Sequence, residues 1–259
     1  MIKFFRTIRQ TMLSEGKTVK YLKYAVGEIV LVVIGILIAL TINNWNDQKN
    51  NAKSEHIYYC RILEDFELDK QRIEELKEKA NNRIDSSKKI LLDLDSGTKD
   101  KHYLINQFIL ATRSEVYEPR NVTLKDLISS GNLKLINDIS IKNNLIQYYS
   151  ELENKQAQLK SNRDEIIKKV FEVVNSSIEI GAIQEFDYVH KLLSPEIIRT
   201  LPELDWTKDK NSEYYKKTQL TLLFNIAMAD REKQHLDAIN TLMETPYNLL
   251  EKKCEDKYK

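Results

Sequence analysis

The chain has 259 residues, a net charge of +1 and 31% charged side chains, with only six glycines and four prolines. The charge balance argues against a general nucleic-acid binder, which needs a clear basic excess to neutralise phosphates. The scarcity of glycine and proline argues against a turn-rich β fold, so the expectation is an all-α protein with long helices.

Charge is unevenly placed. Residues 1–24 carry Lys3, Arg6, Arg9, Lys17, Lys20 and Lys23 against Glu15 alone, a sum of +5, which leaves −4 for the rest. Met1 to Leu13 reads as a short amphipathic helix, with Ile2, Phe5, Ile8 and Met12 at helical spacing and the cations opposite. A basic helix of this kind suits an anionic leaflet. The same residues also read as a plain cationic flank. Ser14-Glu15-Gly16 ends the segment.

Ala25 to Ile42, AVGEIVLVVIGILIALTI, is a single apolar run whose one ionisable residue is Glu28. Eighteen helical residues extend about 27 Å, close to a bilayer's hydrocarbon thickness. Lys20, Tyr21, Lys23 and Tyr24 precede it and Trp45 follows, an arrangement of headgroup cations and interfacial aromatics. A cleaved signal peptide is the rival, but the run is longer than an h-region and Ala39 to Trp45 offers no good cleavage site. The positive-inside rule then sets residues 1–24 in the cytosol, 25–42 across the membrane and 43–259 outside. Within the run, Glu28, Gly35 and Ala39 fall close to one line at 100° per residue. Two readings fit. One is a helix–helix contact face, with Gly35 and Ala39 admitting a neighbour's backbone. The other has Glu28 snorkelling to the cytosolic interface, with Gly and Ala incidental.

Beyond Asn43 the pattern predicts an antiparallel helical bundle. Tyr59, Ile62, Phe66, Ile73, Leu76, Ala80 and Ile84 keep a three-four spacing, with Asp69 in one polar slot. Asp85-Ser86-Ser87 is a candidate joint, and a second helix over Ser87 to Leu94 would end at Gly97. Lys101 to Arg113 forms a third segment, and Glu118 to Asn121 a loop. Thr123-Leu-Lys-Asp126 fits a capping box opening a short helix that stops at Gly131. A long helix follows over about Ile139 to Ile178, with Gln156 and Arg163 interrupting its apolar seam. Gly181 closes it. Ser194-Pro195-Glu196 starts a short helix ended by Leu201-Pro202. Asn211 or Ser212 caps the last long helix, which Pro246 bends or restarts. Of the pairs Tyr58-Tyr59, Tyr148-Tyr149 and Tyr214-Tyr215, one ring each is expected in the core and one in water.

Motifs that carry recognisable chemistry are absent from the sequence. The sequence holds no H-E-x-x-H, P-loop, G-x-G-x-x-G, G-x-S-x-G or C-x-x-C. His56, His102, His190 and His235 are scattered, so no metal site, no cofactor and no enzyme is expected. Asp69 and Arg163 occupy core slots on different helices. They either pair and fix register or sit at wet ends of their seams. Cys60 and Cys254 would lie in an oxidising space, and their spacing leaves pairing open.

Residues Met1-Ile-Lys-Phe-Phe-Arg6, Ser14-Glu-Gly-Lys17, Tyr21-Leu-Lys-Tyr24, Gly27 to Leu40 and Asn43-Asn-Trp45 resemble a family of single-pass membrane proteins of unknown function from Gram-negative bacteria. Leu127-Ile-Ser-Ser-Gly-Asn-Leu133 and Tyr148-Tyr-Ser150 are similar to it as well, while Thr41 stands where that pattern favours Gln. The resemblance implies a bacterial envelope protein and brings no activity or catalytic residue. The expected role is a non-enzymatic interaction or scaffold subunit in the inner membrane, with the bilayer and another membrane protein or a second copy as partners. The alternative is a sensor that binds a ligand or partner and signals through a second membrane protein.

Overall fold

The computed structural model describes residues 18–179, 187–201 and 205–255. The expected helix over Met1 to Leu13, the break at Ser14 to Gly16, and the stops at Gly181 and Pro202 lie outside them. The described elements are helices α1 (Thr18–Ser96), α2 (Lys101–Ala111), α3 (Val122–Ser129), α4 (Ile139–Glu179), α5 (Asp187–Leu192), α6 (Pro195–Ile198) and α7 (Glu213–Glu255). Short 3-10 turns cover Asn132–Leu135 and Trp206–Lys208, and no strand occurs among the described residues.

The chain divides between Ile57 and Tyr58 into two units. The first holds the apolar part of α1. Its best 18-residue stretch has a mean hydropathy of 2.7 and none of it is buried, so this helix is long and apolar enough to cross a membrane. Lys23 and Trp45 are exposed. The Lys49 Nζ lies 5.9 Å from the Trp45 ring centroid, so the two side chains form a cation–π pair at this end of the run.

In the second unit α1 presents a regular seam. Tyr59, Ile62, Phe66, Asp69, Ile73, Leu76, Ala80, Arg83, Ser87, Ile90 and Leu94 are its buried residues, alternating steps of three and four. A strict seven-residue repeat keeps one helix face turned to its partner over about five heptads. The partner is α7, which buries Tyr215, Thr218, Leu222, Asn225, Ala229, Leu236, Ile239, Met243, Pro246 and Leu250 at the same spacing. Contacts along the pair run in opposite directions. They pass from the disulfide Cys60–Cys254 through Lys70 Nζ over the Tyr247 ring at 3.2 Å to Lys77–Asp237 at 2.7 Å and Asn225 Nδ2 to Ser87 Oγ at 2.9 Å. Helix α4 also packs along α7. Lys253 meets Asp138 at 3.2 Å at one end, and Lys217 lies near Glu172 toward the other, so this pair too is antiparallel.

Local chemistry explains most boundaries. Gly97 takes φ +63°, the left-handed value a β-carbon disfavours, and ends α1. Asp100 accepts the Tyr103 N–H at 2.7 Å and starts α2. Asp138 accepts the N–H groups of Ser140 and Ile141 at 3.0 and 3.2 Å and starts α4. Ser212 accepts the Tyr215 N–H at 3.1 Å and so is the residue that caps α7.

Several expectations need correction. There is no joint at Asp85 to Ser87. The helix continues because Ser87 is buried and bonded to Asn225 across the seam, and Arg83, not Ile84, fills the next slot. The capping box at Thr123 does not form. Val122 already begins α3, and Asp65 of α1 accepts the Thr123 N–H at 3.3 Å. Helix α7 passes through Pro246 without restarting. Both rings of Tyr148-Tyr149 and of Tyr214-Tyr215 are buried; only Tyr58-Tyr59 splits, with Tyr59 the buried member.

The disulfide joins the two ends of a 194-residue separation within this unit. Closing so long a loop restricts the unfolded chain, a gain of about 2–5 kcal/mol. Cys60→Ser should therefore lower the denaturant midpoint and become insensitive to reductant, whereas the native chain loses stability when reduced. Equal midpoints with and without reductant would contradict this.

Candidate functional site

The interior of the second unit is not one continuous apolar core. One cluster gathers Phe66, Leu76, Leu127, Leu145, Tyr148 and Leu236 with their neighbours. Another gathers Ile90, Leu104, Phe108, Trp206, Tyr215 and Leu222 with theirs. Between them the seam positions turn polar or small: Ala80, Arg83 and Ser87 on α1, and Asn225, Ala229 and Glu232 on α7. The α4–α7 register sets Asn162 and Arg163 opposite the same stretch.

This polar belt is held by two side-chain layers. Asn225 Nδ2 donates to Ser87 Oγ at 2.9 Å and to the Ala111 carbonyl at 3.0 Å. A carbonyl only accepts, so the amide nitrogen must face it. Ala111 ends α2, and its carbonyl is one of those a helix end leaves unpaired. Asn225 thus fastens the end of α2 to both long helices. In the next layer Arg83 Nη2 donates to Glu232 Oε2 at 2.5 Å, with side-chain exposures of 8% and 15%. Burial pushes the Glu232 carboxyl up from its ordinary pKa, the neighbouring Arg83 pulls it down, and Glu115 raises it further. Desolvation wins despite the ion pair, as is common for such pairs in protein interiors.

After α2 the chain runs without regular structure until α3 and is strapped to α1. Glu115 accepts from Arg72 Nη2 at 2.7 Å and from Lys79 Nζ at 2.5 Å. The Arg120 N–H donates to Asp69 Oδ1 at 2.9 Å. Asp65 takes the Thr123 N–H as above. Positions 65, 69, 72 and 79 all face this strap because helix neighbours lie three and four apart. The strap buries Tyr117 beneath it. The hydroxyls of Tyr117, Tyr148 and Tyr149 are buried and meet no partner at full hydrogen-bonding geometry among the described residues. Burial and the nearby Asp69 carboxylate push all three phenols well above their ordinary range. Phe66, Tyr148 and Tyr149 stack edge-on in sequence, with centroids 4.9 Å apart at each step. Asp69 itself is raised to about 6, chiefly by burial and further by Asp65, against the pull of the Arg120 N–H.

Where the strap leaves α2 a cleft of about 200 Å³ opens on the belt, lined by Leu76, Lys79, Asn82, Arg83, Arg113, Glu115 and Glu232. Charge dominates it, and Leu76 is its one apolar wall.

The residues singled out from sequence fare unevenly. Asp69 is buried, and its hydrogen bond goes to the Arg120 backbone and not to Arg163. Arg163 is half-buried with Nε unpartnered, while the neighbouring Asn162 takes the buried slot. Proximity of helix slots was not enough, because the strap reaches Asp69 first. Gly35 and Ala39 are exposed and Glu28 half-buried; a β-carbon on Gly35 would meet nothing within 4 Å. Side chains of Lys20, Tyr21 and Tyr24 lie outside the described residues. Missed altogether were Arg83, Glu115, Asn225 and Glu232. Seven-residue spacing from Leu76 and Ile239 marks Arg83 and Glu232 as seam positions; nothing local marks Glu115.

The profile of a family of unknown function (DUF6090) matches residues 28–198. No curated protein and no solved structure matches the chain.

Two outcomes test this geometry. Arg83→Met alone strands a buried carboxylate and should cost about 3–5 kcal/mol in denaturant unfolding, while adding Glu232→Leu should recover most of the loss. Additive losses in the double variant would contradict the pairing. For Asp69 the native pKa lies above that of a free carboxyl, so the folded state binds the proton more tightly. Stability should fall as pH rises from about 4 to 6 and then level off. Asp69→Asn, which keeps an acceptor for the Arg120 N–H, should flatten that slope and raise stability at pH 7 by about 1–3 kcal/mol. An unchanged slope would contradict the assignment.

Proposed function

We propose that this chain, which belongs to the family of unknown function (DUF6090), is a single-pass protein of the bacterial inner membrane. In this reading residues 1–24 lie in the cytosol, 25–42 span the bilayer, and 43–259 form a periplasmic helical-bundle domain. Its role is a non-enzymatic interaction or scaffold subunit of an envelope complex.

The observation that carries the reading is the unburied apolar helix. The run from Ala25 to Ile42 contains a dozen Val, Leu and Ile side chains, and none of its best 18-residue window is buried. Leaving that many in water instead of an apolar medium costs roughly 20–35 kcal/mol. Lipid removes that cost. Two independent features support the orientation. The +5 charge of residues 1–24 favours a cytosolic N-terminus. The Cys60–Cys254 disulfide suits an oxidising space beyond the membrane.

The scaffold role rests on the character of the exported surface and of the anchor. Outside its seam, α1 is covered with interleaved Glu, Lys and Arg, as a solvated helix face is. The open line of Gly35 and Ala39, with Glu28 one turn inside the run, is where a second membrane helix fits closely.

Paired reporters test the topology. A C-terminal alkaline phosphatase fusion should be active and a C-terminal fluorescent fusion that folds only in the cytosol should be dark; the opposite pattern would overturn the reading. For the anchor, Gly35→Cys and Ala39→Cys should crosslink in membranes several-fold better than Val33→Cys and Leu37→Cys, which lie on the opposite side. Equal yields on both sides would remove the contact face.

A further inference from the structure

We propose that the cleft at the polar belt is a binding site for a small oxyanion, a phosphate or a short carboxylate, gripped by Arg113. The inference does not depend on the compartment or on the scaffold role.

The charges of the cleft do not cancel, and the surplus can be traced to one side chain. Three cations and two acids line it. Both acids are committed. Glu115 is held by Arg72 and Lys79, and Glu232 by Arg83. Arg113 is the lining cation left over. It is exposed, and its guanidinium forms no hydrogen bond or ion pair with a described residue. A planar fork of N–H donors is the group best matched to a carboxylate or phosphate, because two parallel bonds form at once.

The setting favours a bound anion over a floppy surface arginine. The backbone on both sides of Arg113 is fixed. Before it, the Thr112 hydroxyl donates to the Phe108 carbonyl at 2.8 Å and Asn225 holds Ala111. After it, Glu115 is clasped by two cations of α1. Arg83 forms part of the lining and reaches Glu232 through Nη2. Lys79 stands at its side. With Lys79 and Arg83 paired to the two acids, the recess keeps one net positive charge on Arg113, and in a partly desolvated setting that charge attracts an anion more strongly than on a wet surface.

Size sets the ligand class. A volume of about 200 Å³ corresponds to roughly six or seven waters at 30 Å³ each. It falls short of the 300–1,000 Å³ typical of drug-sized ligands. A phosphate or a two- to four-carbon carboxylate fits, and Asn82 offers an amide beside it. The committed state of Glu115 and Glu232 disfavours a cation, which would have to break existing pairs.

The test uses the full-length chain in neutral detergent at constant ionic strength. Sodium phosphate and sodium succinate are titrated separately against sodium chloride, with thermal unfolding as the readout. The expected result is a saturable rise in Tm of about 2–4 °C with at least one of them. Phosphate alone or succinate alone identifies which oxyanion geometry the site prefers, and either supports it. Arg113→Gln should abolish the rise while leaving the Tm without ligand unchanged, since the side chain has no partner to lose. Lys88→Gln, an exposed cation on α1 outside the cleft, should leave the rise intact. No saturable shift with either anion, or an equal shift in Arg113→Gln, overturns the proposal.

Discussion

The structure depends on one periodicity, the alternation of threes and fours that runs from Tyr59 to Leu94 on α1 and recurs from Tyr215 to Leu250 on α7. A helix of 3.6 residues per turn drifts off any straight stripe, and a strict repeat of seven holds two helices face to face only by winding them about each other. Everything else in the second unit is arranged against that pair. Helix α4 lies along α7, α2 and α3 close gaps, and the strap crosses the flank of α1. The disulfide pins one end of the pair, where Cys60 and Cys254 have Cα atoms 5.3 Å apart.

The same repeat explains why polar residues sit inside. An uninterrupted run of apolar layers can slide by one heptad at little cost, because each layer resembles the next. Ser87 with Asn225, and Arg83 with Glu232, do not resemble their neighbours. A slip of seven residues would leave an amide and two charges buried without partners, several kcal/mol worse than the native register. The layers add little net stability as they stand, since desolvation offsets attraction in the ion pair. Their contribution is uniqueness of alignment, together with a hydrophilic recess where the strap departs.

Much of the architecture was legible in the sequence, and the failures have physical causes. The apolar run, the long helices, the break at Gly97 and the start at Pro195 are local signals, fixed by hydropathy, φ > 0 and the missing proline N–H. The joint expected at Asp85 to Ser87 was read from residues that usually favour turns. Ser87 does otherwise because a partner 138 positions away supplies its hydrogen bond. Ile84 was preferred to Arg83 because it is apolar, yet the repeat demanded position 83. On α4 the expected seam stepped from Leu159 to Arg163, whereas the step of three to Asn162 is the one buried. Seam slots on two helices cannot say whether Asp69 and Arg163 meet, because nothing in the periodicity fixes the relative height of α1 and α4. The strap, an irregular segment with no period, reached Asp69 through a backbone N–H that no sequence pattern displays. The cleft was likewise invisible, because Arg113, Glu115 and Glu232 come from segments whose proximity only the packed helices create.

The central claim is that α1 and α7 run antiparallel in a single register and that this unit matures outside the cytosol. Both halves meet at Cys60 and Cys254. The most direct measurement is to trap free thiols by alkylation in intact cells, purify the chain from membranes, and map its peptides by mass spectrometry without reduction. The account predicts a linked peptide carrying Cys60 and Cys254, with neither cysteine alkylated. Recovery of both residues as alkylated thiols would contradict it.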